Sequence, residues 1–458
     1  MQVQKPEWQY VDDHFEEFES ELREAVKRPS IAAQNIGMDE CAQYFKGLME
    51  KHGIEARIIP TAGYPVVYGE VKGKDPNKTV LFYDHYDVQP PDPLDEWESD
   101  PFAGEVRDGK MYGRGVSDNK GNACARIQAV GALLKLRGEL PVNVKFLIEG
   151  EEEIGSTHLS DFIRDNKDLL KADYGVWESG YMSPDGRPGM YLGVKGILYV
   201  ELEAQGPSRD MHSGSAATVP NPAWRLVWAL STIKNEKEEI LIPGFYDAVL
   251  SPTEREMELI RASMEGREGE GGGNAASAPR RQYGVHSPLA DLSPLDLRIR
   301  SLFGPTANIC GFRSGYLGEG QKTVLPAKAL VKMDFRLVPE QDPDDIYQKL
   351  RKHLDKNGFD DVKTRIITVD YPVKTSADHP VVKAAEEAAL AVYGKPASIA
   401  PTQGGSGPMH PFKEYLNLPM VAFGVGYWGS GNHGPNENIR LEDYRKGIKM
   451  AMEFIDRL

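Results

Sequence analysis

Cysteine is scarce in this chain of 458 residues. Three occur, Cys41, Cys124 and Cys310, an odd number at wide spacing, which excludes a disulfide framework and a CxxC metal site and fits a reducing compartment. Long apolar runs are missing too. No stretch of about 18 uncharged apolar residues is present to span a bilayer as a helix, so no membrane association is expected. Basic residues are outnumbered, 54 Lys and Arg against 69 Asp and Glu, for a net charge of −15. Such a surface repels a phosphate backbone and clusters such as Arg280-Arg281 stand alone, so nucleic acid is not an expected partner. The first residues lack the basic head and apolar stretch of a signal peptide and read as an acidic amphipathic helix, which makes the cytoplasm the expected location. There is no HExxH, which excludes the helical zinc-protease mechanism, and the loop GYLGEGQKT at 315–323 lacks an intact Gly-Lys-Ser/Thr because Gln321 interrupts it, which excludes a phosphate-binding loop.

What is present is the composition of a globular protein, 40% hydrophobic and 27% charged, and a length that favours two domains. Residues 79–83, 142–148, 174–177 and 419–425 are short, apolar and rich in β-branched or aromatic side chains, the pattern of buried strands. Helical patterns alternate with them, at 121–136 with Ile127, Val130, Leu133 and Leu134 on one stripe, and at 441–458 with Tyr444, Ile448, Met452 and Ile455. The alternation predicts an α/β domain with a mostly parallel sheet and helices on both faces. From Gly193 onward, residues 197–204 and 329–337 alternate apolar and polar side chains, as in a sheet with one solvated face. The stretch EGREGEGGGNAAS at 265–277 has no periodicity and reads as a loop. These shifts predict a first part of the catalytic domain at 1–194, an inserted α+β lid and dimerisation domain at 195–375, and a return to the catalytic domain at 376–458, beginning with a helical pattern at 379–393.

Acidic and histidine residues follow the predicted strands directly, at the edge where open α/β sheets bind ligands. FYDHYDVQP gives His85 and Asp87, FLIEGEEEIGS gives Glu151, Glu152 and Glu153, the third strand ends at Glu178, and GVGYWGSGNHGPNE holds His433. Asp118 sits in GRGVSDNKG on a tight glycine turn before a helix. Taken singly, these would be solvated charges or a helix cap. Taken together, with apolar strands leading into them, two histidines and three carboxylates point to one metal cluster, suited to zinc or manganese rather than copper or an iron–sulfur centre.

The order of HYDVQP, GRGVSDNKG, EEEIGS, DMHSG, FRLVP, GGSGP and NHGPNE resembles the M20 metallopeptidases, in particular their dipeptidase branch with carnosinases and the cytosolic nonspecific dipeptidase, over nearly the whole chain. The resemblance implies two zinc ions per subunit, with manganese possible. His85 and Glu178 would hold one, Glu153 and His433 the other, and Asp118 would bridge them. Asp87 would orient His85 through its second ring nitrogen. Glu152 matches the general base that takes a proton from the bridging water and delivers it to the leaving amine. His212 in PSRDMHSG matches a histidine that reaches from one subunit of a homodimer into the other's site and polarises the scissile carbonyl. Arg336, Thr323, His379 and Ser406 match residues that hold the substrate, Arg336 by binding two oxygens of its carboxylate. The chain departs from the commoner pattern at Asp84, Asn119 and Gly407-Pro408. The expected activity is hydrolysis of a dipeptide or similar small peptide. The alternatives are a deacylase acting on an N-acyl or N-carbamoyl amino acid, and a catalytically silent binding or dimerisation protein on the same fold.

Overall fold

The computed structural model describes residues 5–265 and 292–458. The main sheet has eight strands in the order Glu55–Ile59, Val66–Val71, Leu140–Glu149, Gly73–His85, Tyr174–Trp177, Met420–Ala422, Gly189–Tyr191 and Ser398–Ala400. The central four, from Leu140–Glu149 to Met420–Ala422, are mutually parallel, while the first two strands pair antiparallel at one edge and Gly189–Tyr191 runs antiparallel to Met420–Ala422. Their continuous apolar character has a direct cause. Val80 and Phe82 point into a core shared with the helices Phe15–Val26, Lys120–Arg137 and Leu441–Ile455, whereas Leu81 and Tyr83 point into a core shared with Leu159–Asp165 and His410–Leu416. Strands covered on both faces need no polar alternation.

Helix Lys120–Arg137 lies deeper than its predicted stripe requires. Every residue from Lys120 to Leu133 is buried, because Phe15–Val26 and Leu441–Ile455 pack on it from outside. The opening amphipathic pattern forms two helices, Pro6–Asp13 and Phe15–Val26, separated at His14; residues 1–4 lie outside the described residues, as do 266–277 of the predicted loop and Arg280-Arg281.

A second sheet, fully antiparallel, has the order Thr306–Ser314, Lys328–Leu337, Gly196–Gln205 and Lys363–Asp370. Two of its strands were predicted, and Thr306–Ser314 and Lys363–Asp370 were not. One face buries Leu198, Val200, Val331, Met333 and Phe335 against helices Pro222–Ile233 and Pro343–Lys356, and the other carries polar side chains. The chain passes between the sheets where Gly193–Val194 pairs antiparallel with Val373–Lys374. The sheets are not the only contact between the regions: Ile260 of helix Glu254–Met264, with Leu302 and Phe303 of helix Pro294–Phe303, packs toward Ala400 on the outer strand of the main sheet.

Candidate metal centre

Register aligns the carboxyl ends of the parallel strands. His85 is paired with Glu149, and Phe82 with Val176, so His85, the 151–153 turn and Glu178 leave the sheet side by side. Arg126, buried in the central helix, ties these ends together. Its Nη1 donates to Tyr83 O at 2.8 Å and Asp84 Oδ1 at 2.7 Å, and its Nη2 to the carbonyl oxygens of Trp177, Glu178 and Phe423 at 2.6, 3.0 and 3.0 Å. The unusual Asp84 is thus the counter-ion of Arg126. Burial pushes its carboxyl up to about 6 against the pull of that guanidinium.

Asp118 is held from the other side. Gly115 adopts φ +83, and a Cβ there would lie 2.4 Å from a Val88 methyl, so the turn requires glycine. The buried Glu437 carboxylate accepts from the Ser117 and Asp118 N–H groups at 2.9 and 3.0 Å, from Gly115 N at 3.0 Å and from Arg114 Nη1 at 2.8 Å. Arg114 Nη2 donates in turn to the His433 and Gly434 carbonyls, both at 3.1 Å. One ion pair therefore fixes the Asp118 and His433 loops relative to each other. The following helix takes Asn119 as its cap residue without a side-chain cap bond, which leaves the Asp118 carboxylate free for another task.

That carboxylate faces two imidazoles. Asp118 Oδ1 lies 3.2 Å from His85 Nε2 and Oδ2 lies 3.3 Å from His433 Nε2. His433 Nε2 is also 3.3 Å from Glu153 Oε2, and His85 Nε2 is 3.7 Å from Glu178 Oε2. Potential ligand atoms of His85, Glu152 and Glu153, and of Asp118, Glu153 and His433, lie within 4.8 Å of one another. Asp87 stands behind: Oδ1 is 3.3 Å from His85 Nδ1, while its two oxygens accept from the Glu152 and Glu153 N–H groups at 3.2 and 2.9 Å. It orients the imidazole and the glutamate turn together. Glu151 has a structural partner instead, His158, whose Nδ1 is 2.8 Å from Glu151 Oε2.

The electrostatics are those of a cation site. Burial, then the Glu178 charge, pushes Glu152 well above the usual carboxylate range, and burial brings Glu178 up to about 8. Asp118 is held below its usual range by His433 and His85 despite burial, and His433 is pushed up to about 10 by Asp118 and Glu153. Glu178 Oε2 is buried with no hydrogen-bond partner among the described residues. Such a carboxylate oxygen is costly unless something positive faces it. Hard oxygen and imidazole donors around it fit a pair of divalent cations.

Other expected residues sit elsewhere. Arg336 Nη1 donates to Ser406 Oγ at 2.9 Å, which joins two of the predicted substrate residues across 70 positions. The exposed His212 lies in the ribbon Met211–His212, paired with Val324–Leu325, and Thr323 adjoins it through Ser213 N to Thr323 O at 3.1 Å. Neither touches the cluster within the chain among the described residues. His379 is not brought to the cluster: its Nδ1 accepts from Val381 N at 3.2 Å as the cap of helix Pro380–Tyr393, and its ring packs on Tyr174 at the opposite end of the strand that leads to Glu178. The other departures also have partners. Asn119 Nδ2 donates to Glu178 O at 3.0 Å, and a Cβ on Gly407 would come 3.3 Å from Trp177. Sequence reasoning missed Arg126, Arg114, Glu437 and Gln89, whose Nε2 donates to Glu153 Oε2 at 2.9 Å. An arginine inside the otherwise uncharged stretch 121–134 of its helix was the available signal for Arg126.

Two imidazoles and several carboxylates converging at the carboxyl edge of a parallel sheet, beside an α+β lid, define a metal-dependent hydrolase. Residues 81–457 match the peptidase family M20/M25/M40. The chain belongs to this family and is a hydrolytic peptidase. It is 31% identical to the Cys-Gly metallodipeptidase dug1 of Schizosaccharomyces pombe, over 98% of this chain and 97% of that one. Its structure is similar to the M20 family metallo-carboxypeptidase Sso-CP2 of Sulfolobus solfataricus, at TM-score 0.86 and 42% identity over 95% of this chain and 97% of that one. It is similar also to human carnosine dipeptidase 1, at 0.76 and 28% over 98% of each chain. Among the described residues, no helix is long and apolar enough to cross a membrane.

Proposed function

We propose that this chain hydrolyses the peptide bond of dipeptides and similar small peptides in the cytoplasm, with two zinc ions or, alternatively, manganese. The observation that carries the reading is Asp118, whose two oxygens face His85 and His433 at 3.2 and 3.3 Å, as a carboxylate shared between two cations would. His85 and Glu178 would hold one ion, Glu153 and His433 the other, with Asp118 between them. The pair would supply Lewis-acid polarisation and a water of lowered pKa. Glu152 takes the proton of the attacking water as its oxygen bonds to the carbonyl carbon, and returns it to the amine nitrogen as the C–N bond breaks. Arg336, set by Ser406, receives the substrate carboxylate. The names of the relatives support a dipeptidase over a deacylase. The 42% identity to a metallo-carboxypeptidase favours a second reading, removal of C-terminal residues from longer peptides, which uses the same contacts. A screen of dipeptides, tripeptides and N-acyl amino acids with metal-reconstituted protein tests the proposal; turnover of acylated amino acids alone would overturn it.

The working unit in this reading is a homodimer, with the catalytic domain at 1–194 and 376–458 and the lid at 195–375. His212 and Thr323 stand on an exposed ribbon away from their own chain's cluster, as expected if they complete a partner's site. Surface for such pairing is present. Trp224 and Trp228 on helix Pro222–Ile233 are 57% and 55% exposed and stack on each other, and among the described residues Thr306–Ser314 is an open edge of the lid sheet. Unpaired edges and contiguous apolar faces are what a second copy covers.

A further inference from the structure

A cavity of about 530 Å³ opens beside Arg336 between the lid sheet and the end of helix Pro294–Phe303, and its charged lining is Lys234, Glu238, Arg300, Asp334 and Arg336. Two of the cations are neutralised within it. Lys234 pairs with Glu238, and Arg336 Nε lies 3.2 Å from Asp334 Oδ2. Arg300, in the last turn of its helix, has no ion-pair or side-chain hydrogen-bond partner among the described residues. Behind the wall, the buried Lys195 ammonium donates to the carbonyl of Gly304, itself part of the lining, at 2.7 Å. Among the described residues no carboxylate acts on that ammonium: burial, then the like charge of Arg336, brings Lys195 down to about 8. A chain with a net charge of −15 thus concentrates uncompensated positive charge at one cavity. A buried cation without a counter-ion is unfavourable, and an entering anion relieves the cost.

We propose that this cavity receives an acidic side chain on the substrate's C-terminal residue, with Arg300 as its ion-pair partner, so that the preferred substrates end in aspartate or glutamate. The inference rests on the reading that Arg336 holds the α-carboxylate. In aspartate and glutamate the two carboxylates are separated by two or three carbon atoms, and Arg300, which lines the same cavity as Arg336, is the cation there left to meet the second. Lys195 adds positive potential from behind the wall. An amide side chain would offer Arg300 no charge, and a lysine side chain would meet like charge, so the cavity discriminates by attraction and by repulsion.

The test is a comparison of kcat/KM for Ala-Glu with Ala-Gln, and for Ala-Asp with Ala-Asn, on metal-reconstituted enzyme. A hydrogen bond to a charged group carries roughly a factor of ten or more, so the acid is expected to exceed its amide about tenfold. Arg300→Gln is expected to bring the ratio close to one, and Arg300→Glu to shift preference toward Ala-Lys. Product inhibition gives a readout independent of the variants, with free glutamate inhibiting more strongly than glutamine. Equal kcat/KM for acid and amide in the unmodified enzyme, or an acid preference that survives Arg300→Gln, would overturn the proposal and leave the dipeptidase reading standing. Hydrolysis of neither acid nor amide by enzyme carrying both metals would reject the dipeptidase reading, and this inference with it.

Discussion

The metal centre and the lid ribbon differ in how completely one chain builds them. Each ligand candidate at the centre is held by groups of the same chain: Arg126 ties the strand ends, Glu437 fixes the Asp118 turn, and Asp87 braces the glutamates. His212 has no such support; its Nδ1 accepts from Gly214 N, and the ring is exposed. Preorganisation is needed where charges must be held close against their mutual repulsion. A residue that acts across an interface can wait for the interface to position it.

Glu152→Gln tests the self-contained half most severely. Loss of a general base is expected to lower kcat by roughly 10²–10⁴-fold with metal content retained, whereas Glu153→Gln is expected to lose metal as well; elemental analysis beside kinetics separates the two. Retention of rate within a few-fold in Glu152→Gln would mean that the base is another group.

The half proposed to be shared is tested by His212→Ala. A donor to the developing oxyanion is worth roughly 10²–10³ in kcat, and the comparison sharpens when the inactive His212→Ala and Glu152→Gln chains are mixed under conditions that exchange subunits. A shared site restores one intact pocket per heterodimer. No recovery in demonstrated heterodimers would make the lid as self-contained as the sheet.

Arg126→Met leaves Asp84 buried and unpaired, so stability is expected to fall by about 3–5 kcal/mol, measured by urea unfolding of the metal-free protein. Lys328→Met, at an exposed pair with Glu203 in the lid, is expected to cost no more than about 1 kcal/mol. Similar losses at the two positions would remove the contrast between a braced centre and an adaptable lid.

Arg336→Ala carries the smallest expected effect on rate. KM for substrates with a free C-terminal carboxylate is expected to rise roughly tenfold, with little change for C-terminal amides. Equal changes in both would show that Arg336 does not read the carboxylate.

The ligand candidates were legible because of period and position. A strand buried on both faces is a continuous apolar run, and the polar residue that ends the run marks the edge of the sheet, so His85, Glu178 and the 151–153 turn could be found without coordinates. Asp118 was legible through the glycine turn before its helix. The bracing groups were not, because Arg126 to Phe423 and Arg114 to Glu437 span about 300 positions, and no local pattern records which distant carbonyl or carboxylate a buried guanidinium meets. The same holds for Arg336 and Ser406, joined only in three dimensions, and for His379, whose Nδ1 accepts from Val381 N at the cap of a helix. By itself the sequence determined the two-layered core, the alternating lid strands and the residue types at the strand ends, since each follows from hydrophobic periodicity over a few residues. Tertiary structure alone decided which carboxylates face which imidazoles, why Asp84 is tolerated beside His85, and where the lid gathers its positive charge, since hydrogen bonds and charge interactions act through space over a few ångströms between residues tens to hundreds of positions apart.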